Sequence, residues 1–128
     1  MEYKITPMAK PRMTRSDAWR NPPRPIVARY WKFKSWCVLE KVALPCYGSH
    51  VTFVLPMPDS WSEKKKKQFD GQPHTQSVDL DNLLKGLCDA IYGNDSVIYD
   101  IHVTKRWGRE GKIIIEDEIC NHTSDFGR

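Results

Sequence analysis

Residues 79–93 read DLDNLLKGLCDAIYG. Leu80, Leu83, Leu84, Leu87 and Ile91 recur at the spacing of one helical face, so the stretch predicts an amphipathic helix that lays its leucines on a core. Gly93 is a natural stop for it. Working outward, HVTFVL (50–55) alternates Val51, Phe53 and Leu55 with Thr52 and Val54, the pattern of a strand. Val97, Tyr99, Ile101 and Val103 alternate as a second strand, and Lys112–Glu118 returns as a third after the turn WGREG (107–111). These last two are expected to form a hairpin. EYKITP (2–7) predicts a short strand with Tyr3 and Ile5 on one face. A helical pattern runs from Ile26 to about Ala43 and should end before Pro45. Ser60 and Glu63 fit a capping box opening a short helix through KKKKQF (64–69). The stretch between Met8 and Pro25, rich in proline and arginine, should be irregular and exposed, and the tail after Cys120 should fray. The reading is one mixed α/β (α+β) domain over residues 1–128.

Composition narrows the function classes. A chain of 128 residues with 40% hydrophobic and 28% charged residues is ordinary globular material. No signal-peptide core and no run near the ~20 apolar residues of a membrane span occurs, so the expected protein is soluble, cytoplasmic and without a membrane partner. Cys37, Cys46, Cys88 and Cys120 lie too far apart for a zinc motif or a disulfide scaffold and are expected to be reduced thiols. The net charge is +4, unevenly spread: residues 1–50 hold ten Lys/Arg against three acids, and residues 79–100 hold five Asp against one Lys. A basic arm beside an acidic patch suits a protein that attracts a polyanion and brings it to a metal.

The acids have two readings. Asp79 stands at or before the first helical turn and Asp81 within it. Acids there satisfy free N–H groups and complement the helix dipole, so capping explains them without chemistry. Asp81 and Lys85 are i, i+4 neighbours, which a surface ion pair also explains. On the other reading Asp95, in GND after the helix, returns to Asp79 and Asp81 and three carboxylates converge. Phosphodiester hydrolysis needs an activated water and neutralised phosphate charge. Mg²⁺ supplies both and binds to a few carboxylates. Lys85 would stabilise developing charge, and Asn82 would hold a carboxylate or a water in place.

VDLDNLLKGLCDAIYGNDSVIYD (78–100) resembles the RusA family of Holliday junction resolvases, whose core is D-[LI]-D-N-L-x-K. Asp79, Asp81, Asn82, Leu83 and Lys85 stand in family order, with Asp95 after them. KPRMTRSDAW (10–19), RPIVARYWKFK (24–34), LPMPDSWSEKKK (55–66) and the closing strands look like phage-borne members, so the resemblance covers nearly the whole chain. It implies a small mixed β-sheet with flanking helices. It also implies a homodimeric, Mg²⁺-dependent endonuclease, with Mn²⁺ as a substitute, that cuts four-way DNA junctions by paired symmetric nicks. No small-molecule cofactor is implied. The setting would be a bacterial host, with the gene carried by a phage or prophage. By resemblance the metal ligands are Asp79, Asp81 and Asp95, with Asp100 as the alternative third, and the catalytic lysine is Lys85. The alternative function is a branched-DNA-binding protein whose catalytic site is degenerate. A nucleotide-phosphate enzyme is disfavoured, because no glycine-rich phosphate loop is present.

The basic residues supply DNA-contact candidates. Lys10, Arg12, Arg15, Arg20 and Arg24 are expected on phosphates. Lys64, Lys65, Lys66 and Lys67 are either a second phosphate patch or a solvated face. Trp31 and Trp36 are either core residues or stacking platforms for unpaired bases. His74 is either a contact to phosphate or metal-bound water or an incidental loop residue. Cys88 and Asp89 are expected on the helix surface or in a dimer contact.

Overall fold

The computed structural model describes residues 1–45, 48–93, 96 and 98–117. The elements in chain order are β1 (Glu2–Tyr3), a 3₁₀ turn (Arg15–Ala18), α1 (Pro25–Leu39), β2 (Ser49–Pro56), α2 (Glu63–Phe69), α3 (Leu80–Tyr92), β3 (Ile101–Gly108) and β4 (Lys112–Asp117). The strands form one sheet in the order β1-β4-β2-β3. β2 pairs with β3 in parallel and with β4 antiparallel, so the sheet is mixed, as expected. Tyr30, Phe33 and Cys37 of α1 share one core with Leu83, Leu87 and Cys88 of α3. The sheet adds Val51, Phe53, Leu55, Ile113 and Ile115 to it. The leucine stripe of α3 behaves as its spacing predicts: Leu83 and Leu87 are buried, and Leu80, Leu84 and Ile91 pack against the same core. Burial holds the Cys37 thiol up at about 11, which keeps it protonated and inert.

The expected hairpin does not form. β3 and β4 run in opposite directions, but β2 lies between them and pairs with both. The most buried strand takes the centre, and the connection 109–111 crosses its end. Two glycines make that crossing possible. A Cβ on Gly108 would stand 2.2 Å from Val54 Cγ1, and one on Gly111 would stand 2.4 Å from Thr6 Oγ1. The glycines that resemble turn punctuation are thus required by close approach.

Smaller boundaries also shift. α1 starts with Pro25 at its first turn and stops at Leu39. Lys41 turns left-handed there at φ 53°, and the Val42 N–H donates to Cys37 O at 3.0 Å, closing the helix well before Pro45. The α2 cap is Ser62, which accepts from the Lys65 N–H at 3.2 Å, so the Ser60 capping box is not used. β3 begins at Ile101, later than alternation predicts; Tyr99 is exposed, and Val97 lies outside the described residues.

Candidate active site

The N-terminus of α3 carries the two acids. Asp79 is its N-cap in extended conformation (φ −68°, ψ 139°), yet its side chain makes no capping hydrogen bond. Asp81 lies in the first turn, and both residues are exposed. The capping explanation therefore fails for Asp79. Both acids line one open cleft of about 560 Å³, together with Leu80 and Leu84 of α3 and Val103 and Lys105 of β3. Exposed carboxylate oxygens that are not engaged in capping suit a hard divalent cation, which is often held by only one or two protein carboxylates plus water. Among the described residues no three His, Cys, Asp or Glu side chains converge as a metal cluster, so Asp100 does not join the pair. Asp95, expected as the third acid, lies outside the described residues.

Lys85 opens onto a different cleft, of about 410 Å³, shared with Asn82 and with Lys10, Pro11, Arg12 and Met13 of the arm. The arm is placed there by α3. A Cβ at Gly86 would stand 2.4 Å from the Met8 carbonyl oxygen, so only glycine allows the chain to cross at this height. The Lys10 N–H donates to Asn82 O at 3.4 Å, and Lys10 Nζ lies 2.6 Å from Asp89 Oδ2. Asp89 is buried at 7% exposure and Cys88 is fully buried, which corrects the expectation that they lie on the surface or in a dimer contact. An acid facing inward is stable here because the arm brings it a cation. Asn82, Gly86 and Asp89 form a stripe at i, i+4 and i+7. That small, polar stripe was the available signal for the crossing.

A second clamp shapes the arm further on. Arg24 donates to both carboxylate oxygens of buried Asp17, at 2.9 and 2.7 Å, and its Nη2 also donates to Arg12 O at 2.8 Å. Thr14 adds a backbone bond of 2.7 Å and a hydroxyl bond of 3.0 Å to the same carboxylate. The Arg24 hydrogen bonds, then those from Thr14, hold the Asp17 carboxyl far below the usual carboxylate range. Lys10 and Arg24 are thus engaged by acids, whereas Arg12, Arg15 and Arg20 are exposed. The arm is irregular apart from its 3₁₀ turn, but it is tied down at two places.

The other expected residues fall outside both clefts. On α2, Lys64, Lys65 and Lys67 are exposed, and Lys65 Nζ sits 4.2 Å from the Trp61 ring centre. Trp31 and Trp36 are 44% and 46% exposed, so neither is a core residue. His74 is buried against Trp107, with ring centres 4.0 Å apart. Burial first, and the Lys105 charge second, push the His74 pKa down, so it is a neutral packing residue. Lys105 was missed by sequence reasoning, although a lysine in register with the inward Val103 and Trp107 of β3 was a signal.

Residues 2–117 match the family model described as endodeoxyribonuclease RusA. The chain belongs to the RusA family. RusA membership supports a nuclease that hydrolyses DNA and implies Holliday junction resolvase activity. No curated protein and no solved structure matches the chain significantly. Among the described residues, no helix is long and apolar enough to cross a membrane.

Proposed function

We propose that this RusA chain is a single endonuclease domain that resolves four-way DNA junctions as a homodimer, with Mg²⁺, or Mn²⁺ in its place, as cofactor. The observation that carries the reading is the pair Asp79 and Asp81, exposed in one cleft with Asp79 not engaged in capping, while Lys85 and Arg12 line a cationic cleft on the same helix. Asp79 and Asp81, with Asp95 as third acid, would hold the cation. When bound, it supplies charge neutralisation at the phosphate and a more acidic water.

The chain's own groups do the rest. Lys85 lies one helical turn from Asp81 but opens on the arm-side cleft, so it would bring its positive charge to a phosphate lying across α3 between the two clefts, with Asn82 beside it on the arm side. Arg12, Arg15 and Arg20 contact flanking phosphates, with Lys64, Lys65, Lys66 and Lys67 as a second patch. Lys10 and Arg24 hold the arm in shape. A C₂ dimer presents two identical sites to a junction of near two-fold symmetry, which fits paired nicks with ligatable 5′-phosphate ends. The proposed setting is the cytoplasm of a bacterial host, with phage or prophage origin, as the resemblance implies.

The test uses a synthetic four-way junction with Mg²⁺. The wild-type protein should introduce paired symmetric nicks and elute as a dimer from gel filtration. Lys85→Ala should bind the junction but cut it about 10²-fold or more slowly, as expected for loss of an electrostatic stabiliser. A protein that binds junctions but leaves them intact in every divalent metal would instead be a branched-DNA-binding relative with a degenerate site.

A further inference from the structure

The loop entering α3 contains an unusual residue. Val78, immediately before Asp79, has φ 92°. A β-branched residue rarely adopts that conformation, which a structure maintains only where its surroundings over-determine it. The surroundings come from β3. The Gly71 N–H donates to Trp107 O and the Trp107 N–H to Gln72 O, both at 2.9 Å, and the His74 N–H donates to Lys105 O at 3.1 Å. Pro73 also bridges to Arg106. The loop is thus laced along β3 as far as His74. Beyond it the Lys105 ammonium takes over, donating to Gln76 O at 3.0 Å and to Val78 O at 2.6 Å.

We propose that Lys105 is a positioning residue that fixes the left-handed Val78 backbone and thereby aims Asp79 and Asp81 into their shared cleft. Three observations support this. Lys105 lines the same cleft as both acids. No ion pair joins it to either acid among the described residues, so its ammonium serves backbone carbonyls and leaves the carboxylates open. The residue it holds directly precedes the N-cap, so a change in Val78 ψ moves Asp79 and the first turn of α3 together relative to the loop and β3, the other wall of the cleft. Like the reading it rests on, this takes Asp79 and Asp81 as the cation site, but it concerns how that site is kept in shape.

The experiment compares Lys105→Met, Val78→Gly and the double variant in the full chain. Glycine adopts φ > 0 without strain, so Val78→Gly removes the need for the tie. Three readouts are taken: amide exchange at residues 76–80, Mn²⁺ affinity by calorimetry without DNA, and single-turnover cleavage of a four-way junction. Lys105→Met should speed exchange in the loop and weaken Mn²⁺ binding and cleavage by about tenfold or more, the usual scale for residues supporting a metal ligand. Junction affinity should stay unchanged. The double variant should recover Mn²⁺ affinity and cleavage to within about threefold of wild type, the usual context-dependent spread once strain is relieved. Val78→Gly alone should melt no lower than wild type, which keeps the test valid if Lys105→Met folds poorly. Unchanged exchange in Lys105→Met, or a double variant as impaired as Lys105→Met, overturns the proposal. If the wild type neither binds Mn²⁺ nor cuts junctions, the nuclease reading fails. Loop exchange in Lys105→Met then still decides whether the tie exists.

Discussion

Lys10 and Asp89 form a pair whose two ends are unequally buried, and that asymmetry yields a quantitative prediction. The Asp89 side chain is 9% exposed and the Lys10 side chain 32%. Lys10→Met strands a carboxylate in the interior, which should cost about 3–5 kcal/mol. Asp89→Asn leaves the ammonium, whose partial exposure lets it turn to water, so the loss should be nearer ~1–2 kcal/mol, the scale of one charged hydrogen bond. The double change Lys10→Met with Asp89→Leu replaces the pair by apolar groups and should fall within ~1 kcal/mol of wild type. Urea unfolding of the four proteins at pH 7 measures these differences through the midpoint at constant slope. Lys10→Met costing no more than Asp89→Asn would refute the burial argument. The double variant also separates tether from DNA contact. If Lys10 only holds the arm, the dependence of log affinity on log salt should match wild type. If Lys10 neutralises a phosphate, the slope should shrink by about 0.9.

Other outcomes follow from the arm and the buried His74. Gly86→Ala drives a methyl into the Met8 carbonyl, a backbone atom that cannot rotate away, and should destabilise by about 1–3 kcal/mol and weaken junction binding, as read by urea unfolding and gel shift. The Asp17 carboxyl is held below its ordinary value, so its stabilisation is complete above an unfolded pKa of about 4 and is lost as pH falls below that. Asp17→Asn should therefore flatten the acid limb of melting temperature against pH between about 4 and 2. His74, held neutral by burial, loses stability as pH falls through its ordinary value of about 6.5, and His74→Phe should remove that slope.

What could be read from the chain was periodic or carried by a motif. The α3 leucines and the β2 alternation each specify an element and its buried face, because side-chain direction follows backbone period. Alternation does not say which strand lies alongside, so β3 and β4 looked like a hairpin although β2 separates them. The D-x-D-N-L-x-K stretch singles out Asp79, Asp81 and Lys85 as candidates, but only the structure places them on two clefts. The aspartates open towards β3 and Lys85 towards the arm. Asp89 reads from the sequence as a surface or dimer-contact residue and Lys105 draws no notice, because each contradicts the usual preference of its residue type. Asp89 is an acid turned inward, and Lys105 is a lysine facing the same side of β3 as the buried Trp107. Each is explained by a partner remote in sequence: Lys10 for Asp89, and the 76–78 carbonyls for Lys105.

The central claim is that Asp79 and Asp81 serve chemistry and not helix capping. Asp81→Asn keeps the size and shape of the side chain but removes a charged oxygen donor. The direct measurement is single-turnover cleavage of a four-way junction in Mg²⁺, with binding followed in Ca²⁺. The account predicts wild-type junction affinity and a loss of cleavage of at least about 10²-fold. Cleavage by Asp81→Asn at the wild-type rate would contradict it.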